Sequence, residues 1–335
     1  MNMPDPDTRV GTGPIFIVGM NGSGTTMLLD RLNSHSKIYG FKEETRVLPY
    51  FMQEVANYGD LSNPGNLERL WTDMCGAFPF WKANGEAAIP LPEDWQSRAT
   101  TPAEIFDYVL GEFARAAGKN TWCEKSPMYA LHLQMLADGF PGSRFIHMIR
   151  DGRDCAASFH RRWAYPPNIG IYRWKKTIRA ARSAASEIDA SRYLEVRFEE
   201  LTQNPETELE GICRFLNVEY EPQMLFSSRS AARVKGVENK RISRNSGNYR
   251  DHLSHSQIEK LEGIAGRLLA ELGYDPQNRR GDDDVGATAL LVFQFVARLR
   301  RFGDIFKRSR MADKPFSLIA RRIRTGFKSL RSNRY

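Results

Sequence analysis

The sequence contains no uninterrupted apolar run of 18 or more residues, so it lacks the signature of a membrane-spanning helix. Its first ten residues, MNMPDPDTRV, place acidic residues and prolines where a secretory signal would need an apolar core. Cysteine is scarce. Cys75, Cys123, Cys155 and Cys213 are scattered, which leaves neither zinc spacing nor the close pairs of a disulfide framework. These absences lead to the expectation of a cytoplasmic protein without a metal site. One further absence is local. The stretch PIFIVGMNGSGTTMLL, residues 14–29, has the rhythm of a strand, a glycine-rich turn and a helix start, yet Thr25 follows Gly24 where a nucleoside-triphosphate loop would carry lysine.

The chain has 335 residues and a net charge of +8, but the charge is uneven. Residues 287–335 hold thirteen Lys/Arg and two Asp, so the preceding part is slightly acidic. A basic pI therefore says nothing about the globular part. Residues 290–335 alternate apolar and basic residues at near-helical spacing, with Phe293, Val296, Leu299 and Phe302 in one stripe. That pattern fits a segment lying on an anionic membrane surface, peripherally attached. A helix packed on its own domain or on the second subunit of a homodimer fits as well. No motif for specific nucleic-acid readout is visible.

Strand and helix patterns alternate from residue 14 onward, which argues for a parallel sheet covered by helices. A helix is expected over 25–34, a short strand at KIYGF, and helical spacing over 47–58. Residues 59–100, rich in Asn, Gly, Pro and Trp, read as a loop-rich insertion with short helices, and as an acceptor lid. Thr101 and Pro102 mark the start of a helix. NTWCEKS reads as a strand ending at Lys125, RFIHMIR as a buried strand ending at Arg150, and YLEVRF as another. A helix is expected over 128–138, and one over 256–272 is closed by Gly273. RRGDDDVG reads as a linker. The expected organisation is an N-terminal segment 1–13, a domain 14–280, and a linker with a basic tail over 281–335.

Three constellations carry chemistry. Glycines in the first loop let backbone N–H groups approach a phosphate at a helix N-terminus, and Ser23, Thr25 and Thr26 add hydroxyls. Arg150 falls at a strand end, where open α/β sheets bind ligands. Ser158 and Arg162 follow on one helix face. In FKEETRVLP, Glu44 and Arg46 lie after a predicted strand, so Glu44 is a candidate general base held by Arg46; a surface ion pair at a helix start has the same pattern.

GMNGSGTTML, RFIHMIRDGRDCAASF and YLEVRFEELTQNPETELEGICRFL, in this order and spacing, resemble the PAPS-dependent sulfotransferases over residues 14–272. EETRVLP with CEKSP downstream looks most like the tyrosylprotein sulfotransferase branch. The resemblance implies a P-loop-NTPase-like α/β fold and PAPS (3′-phosphoadenylyl sulfate) as cosubstrate, with PAP as product. Gly22, Ser23, Gly24, Thr25 and Thr26 would hold its 5′ group, and Arg150, Ser158 and Arg162 its 3′-phosphate. A ligand with no triphosphate and no Mg²⁺ needs no loop lysine. Glu44 would accept the proton of an acceptor hydroxyl on a carbohydrate, lipid, metabolite or peptide tyrosine. Arg46 would orient it, and Lys125 would offset charge on the leaving oxygen. NSGNYRD resembles a late loop that closes over PAPS, with Ser246 and Arg250 as candidates.

The sequence departs from that branch in three ways. Gly22 stands where the branch carries arginine, Phe198 stands at an adenosine-side tyrosine, and the branch's secretory anchor and luminal disulfides are not evident. Other sulfotransferases use a histidine base, which brings His35, His132, His147, His160, His252 and His255 into view. A small-molecule kinase using ATP·Mg²⁺ and a non-catalytic nucleotide-binding or membrane adaptor are the rival readings.

Overall fold

A computed structural model describes residues 13–85, 87–226 and 246–286, together with Leu291. The basic tail and its stripe lie outside the described residues.

Five strands form one parallel sheet: β1 (Ile15–Gly19), β2 (Ile38–Gly40), β3 (Thr121–Lys125), β4 (Arg144–Ile149) and β5 (Tyr193–Arg197), in spatial order β2-β3-β1-β4-β5. The apolar run Ile15–Val18 is buried on both faces, as a central parallel strand requires. Phe16 and Val18 join Trp122 and Phe145 on one side; Ile15 and Ile17 join Ile146 and Met148 on the other. Parallel neighbours need crossovers, and helices supply them. In chain order these are α1 (Thr25–Ser34), α2 (Leu48–Gln53), α3 (Pro64–Cys75), α4 (Phe78–Ala83), α5 (Trp95–Arg98), α6 (Pro102–Ala116), α7 (Leu133–Gly139), α8 (Gly152–Trp163), α9 (Pro167–Ala185), α10 (Phe198–Gln203) and α11 (Pro205–Leu216). The unlabelled helices Tyr249–His252 and His255–Glu271 follow. Residues of α3, α6 and α7 pack on the Phe16 side, and those of α1 and α11 on the Ile15 side. Because all five strands run the same way, the chain leaves each of them at one sheet edge.

Several elements differ from expectation. Residues 59–100 hold the expected helices, α3, α4 and α5, but α3 is longer than a short helix at 12 residues. Leu67, Leu70, Trp71 and Met74 recur at i, i+3, i+4 and i+7 along α3 and enter the core, and Trp71 Nε1 donates to Ala99 O at 3.0 Å. The helical period was present beneath the prolines, with Pro64 at a helix start and Asn63 capping it. The span 47–58 splits into α2 and a 3₁₀ turn, Val55–Tyr58. The span 128–138 begins as a 3₁₀ turn, Pro127–His132, before α7. The start of RRGDDDVG is tied down rather than free. Arg267 N donates to Gly281 O and Asp283 N to Gly263 O, each at 2.9 Å, and the buried Lys175 ammonium reaches Asp282 Oδ1 at 3.1 Å. By contrast, Thr101 caps α6 in a capping box with Glu104, as the Thr-Pro start suggested.

Candidate functional site

The turn after β1 is built on positive backbone angles. Gly22 has φ 96° and Gly24 φ 98°, and Gly24 is the N-cap of α1. No side chain caps this helix and no acidic residue lies in its first turn. The N–H groups of a first turn have no acceptor inside the helix, so they and the helix dipole are left for an anion. Ser23 Oγ is buried with no hydrogen-bond partner among the described residues, and Thr25 is buried beside it while Thr26 is exposed. A Cβ at Gly24 would stand 2.4 Å from Phe198 Cδ2, and one at Gly22 would stand 3.2 Å from Ser158. Gly24→Ala should therefore lower Tm by roughly 1.5–4 °C, from about 1–3 kcal/mol of backbone strain and crowding. A thermal melt with an unchanged midpoint would refute the tight approach to Phe198.

The second group assembles around α8. Arg150, the first residue past β4, donates from Nη1 to Gly22 O at 3.0 Å, lies with its guanidinium 4.2 Å from the centre of the Phe198 ring, and has Asp154 Oδ2 3.5 Å away. Phe198 thus packs at its tyrosine-like position through a cation–π contact. Arg150, Ser158 and Arg162 line one cleft together with Arg161, Asn248, Tyr249 and His252. Asp154 fixes the late segment there: its carboxylate accepts from Gly247 N and Tyr249 N, both at 2.8 Å. Ser246 and Arg250 belong to that segment but do not line the cleft, and the Arg250 guanidinium lies over the Tyr249 ring. Asp154 was missed in the sequence, although its place four residues after Arg150 was a signal.

The third group closes across 81 residues of chain. Lys125 Nζ donates to Glu44 Oε1 at 2.5 Å, and Arg46 donates to Glu44 Oε2 from Nε at 2.6 Å and also from Nη2. Lys125 is buried and Glu44 largely so. Burial pushes the Glu44 carboxyl up, but the charges of Arg46 and Lys125 and their hydrogen bonds outweigh it and hold the group below the ordinary carboxylate value. Arg46 adopts φ 54°, a left-handed angle that is uncommon outside glycine and tends to occur at functional sites.

The histidines have other attachments. His35 Nε2 meets Glu219 O at 2.9 Å, His147 Nδ1 meets the Tyr193 hydroxyl at 2.6 Å, His160 Nδ1 meets Tyr165 O at 2.7 Å, and His252 Nε2 lies 2.6 Å from Arg161 Nη1. Burial holds His147 down at about 4. No hydrogen bond ties any of the six to Glu44 or Lys125 among the described residues.

A glycine turn at a helix N-terminus, an arginine–serine cleft at the next strand end and a lysine-bridged carboxylate thus share one sheet edge. The Sulfotransferase family profile matches residues 14–222. The chain is similar to protein-tyrosine sulfotransferase 2 of Gallus gallus, 26% identical over 282 residues covering 78% of this chain and 69% of that protein. It is similar to protein-tyrosine sulfotransferase 1 of Danio rerio at 25% identity over 289 residues, with 78% and 72% covered. The fold is similar to the sulfotransferase domain of the Synechococcus PCC 7002 olefin synthase, with a TM-score of 0.51, 22% identity, and 79% and 98% of the two chains covered. These relatives overturn the cytoplasmic expectation, because they belong to the branch with a secretory anchor. All four cysteines are buried and free, and thiols enclosed in a core report on packing rather than on compartment. Among the described residues, no helix is long and apolar enough to cross a membrane.

Proposed function

Since the chain belongs to the sulfotransferase family, we propose that its two anion sites grip opposite ends of PAPS and that Glu44 is the base for sulfuryl transfer to an acceptor hydroxyl. The observation that carries this reading is the 2.5 Å bridge between Glu44 and Lys125 at the edge where the glycine turn and Arg150 also lie. Gly22, Ser23, Gly24, Thr25 and Thr26 would hold the 5′ phosphosulfate through backbone N–H groups and hydroxyls, with Ser23 Oγ the buried group awaiting a partner. Arg150, Ser158 and Arg162 would hold the 3′-phosphate, with the segment carrying Ser246 and Arg250 closing beside them.

PAPS supplies the sulfuryl group and a phosphate leaving group. Glu44 takes the acceptor's proton as the new O–S bond forms, and the electrons of the broken S–O bond remain on the phosphate oxygen. Lys125 has two tasks. Before reaction it holds the Glu44 carboxylate; as charge grows on the leaving oxygen, its ammonium turns to that oxygen. Releasing Glu44 from one cation raises its basicity at the moment a base is needed. Such preorganised charge is commonly the largest contribution in group transfer. Arg46 stays on Oε2 and keeps the carboxylate aimed.

The acceptor carries a hydroxyl, and a peptide tyrosine is the member of that class suggested by the two relatives. The branch arginine missing at Gly22 has no room here without moving Ser158. Arg150 reaches the same loop residue through its carbonyl, so this chain brings its cation to the turn from β4.

Thermal melts with PAP, ADP, and ATP with Mg²⁺ test the donor. PAP at 100 times its Kd should add about 2.7 kcal/mol and raise Tm by roughly 4 °C, with ADP giving much less. A shift only with ATP·Mg²⁺ would favour a kinase, and no shift with any of the three would favour a non-enzymatic adaptor.

A further inference from the structure

Glu124 is a charged side chain in the middle of a sheet, fully buried, and no step described above uses it. Strand alternation sends Glu124 to the opposite face from Lys125. Its Oε1 accepts three hydrogen bonds: from Thr45 N at 3.0 Å, Thr45 Oγ1 at 2.9 Å and Ser126 Oγ at 2.6 Å. Its Oε2 is buried and accepts none among the described residues. Burial pushes the Glu124 carboxyl up to about 7, against the opposing bonds from Ser126 and Thr45 and the charge of Lys125. A buried carboxyl of this kind is expensive to keep, and a core strand would be more stable with an apolar residue unless the group does something else.

Its partners show what that is. Thr45 is the residue between Glu44 and Arg46. Its hydroxyl hydrogen goes to Glu124, so the Tyr129 hydroxyl at 2.5 Å must donate to Thr45 Oγ1, and Tyr129 in turn accepts from Leu48 N at 3.3 Å. Ser126 Oγ likewise donates to Glu124 and accepts from Arg46 N at 3.2 Å. One carboxylate oxygen therefore orders the hydrogens of a chain that begins at the backbone of Leu48 and of a second that begins at Arg46. Both hold the loop of Glu44 down on the strand of Lys125. They also hold Arg46 in its left-handed angle, which a free loop would relax.

Resting on the reading of Glu44 as base, we infer that Glu124 is a positioning residue for sulfuryl transfer, its Oε1 setting the Glu44–Lys125 geometry by anchoring Thr45 and Ser126. It acts through Glu44 and touches no substrate.

The test compares Glu124→Leu and Glu124→Gln. Leucine removes the acceptor and should lower kcat about 10- to 100-fold, as expected when a catalytic group is displaced by an ångström or so. PAP affinity and the KM for donor should stay within threefold. Glutamine retains an oxygen acceptor and should restore kcat to within about threefold of wild type, with a lower Tm because its amide leaves a donor unpaired. If Glu124→Gln is as inactive as Glu124→Leu, or if PAP affinity falls in step with kcat, the inference is wrong. If Glu124→Leu does not fold, Thr45→Val and Ser126→Ala decide: each should lower kcat alone, and wild-type kcat in both would overturn the inference. Glu44→Gln separates the two readings. Wild-type activity there removes Glu44 as base, whereas an inactive Glu44→Gln beside a fully active Glu124→Leu removes only the positioning role.

Discussion

Glu44→Gln should reduce kcat by about 100- to 10,000-fold, the usual contribution of a positioned general base, while PAP affinity stays within about twofold. The amide keeps the shape of the carboxyl, but its single oxygen can accept from Arg46 or from Lys125 and not from both; the loop is still tied down through Thr45 and Ser126. The amide cannot take a proton from a hydroxyl. The wild-type pH profile should carry the same signature. Glu44 is held below the ordinary carboxylate value, by cations that outweigh its burial, so it is the ionised base throughout the neutral range. Activity should fall only as pH drops through that depressed value, and the fall should be absent from the residual activity of the variant. A Glu44→Gln enzyme as fast as wild type would transfer the base to another group. The histidines are poor candidates on geometry: His35 and His160 meet backbone carbonyls, His147 a tyrosine hydroxyl, His252 Arg161 and His255 Glu259.

Arg150→Ala should weaken PAP by about 10- to 100-fold, the loss expected when a charge-assisted hydrogen bond of about 1.5–3 kcal/mol disappears. Adenosine 5′-phosphosulfate lacks the 3′-phosphate and should lose less, but it should lose something. Arg150 also donates to Gly22 O and packs on Phe198, so its removal loosens the 5′ turn by about one neutral hydrogen bond, roughly fivefold in affinity. The ratio of the two losses, measured by calorimetric titration, is the quantity that matters. Equal losses would make Arg150 a brace for the glycine turn, with Ser158 and Arg162 left to hold the phosphate.

How much of this was legible depends on the range of the contacts involved. The turn after β1, the helix at Thr25, the strand ends at Lys125 and Arg150 and the capped start at Thr101 are local features. They follow from glycine, proline, capping and apolar spacing within a few residues, and they appeared at or within a residue of their expected places. Within residues 59–100 the short helices were legible, but not that the face of Leu67, Leu70, Trp71 and Met74 enters the core. The cytoplasmic placement failed for a different reason, since scattered cysteines carry no message about compartment once a core has enclosed them.

The sequence by itself determined a parallel α/β chain with a glycine-rich turn that lacks lysine, and it named Glu44, Lys125 and Arg150 as groups at strand ends. Only the tertiary structure decided that Glu44 and Lys125, 81 residues apart, form one ion pair, that Gly22 abuts Ser158, and that Asp154 fixes the segment after 246. The same holds for Glu124, which reads in TWCEK as one charged residue beside another. Propensity and periodicity act over a turn or two, whereas burial of a carboxylate and the donors that satisfy it are set by which distant loop folds across the strand.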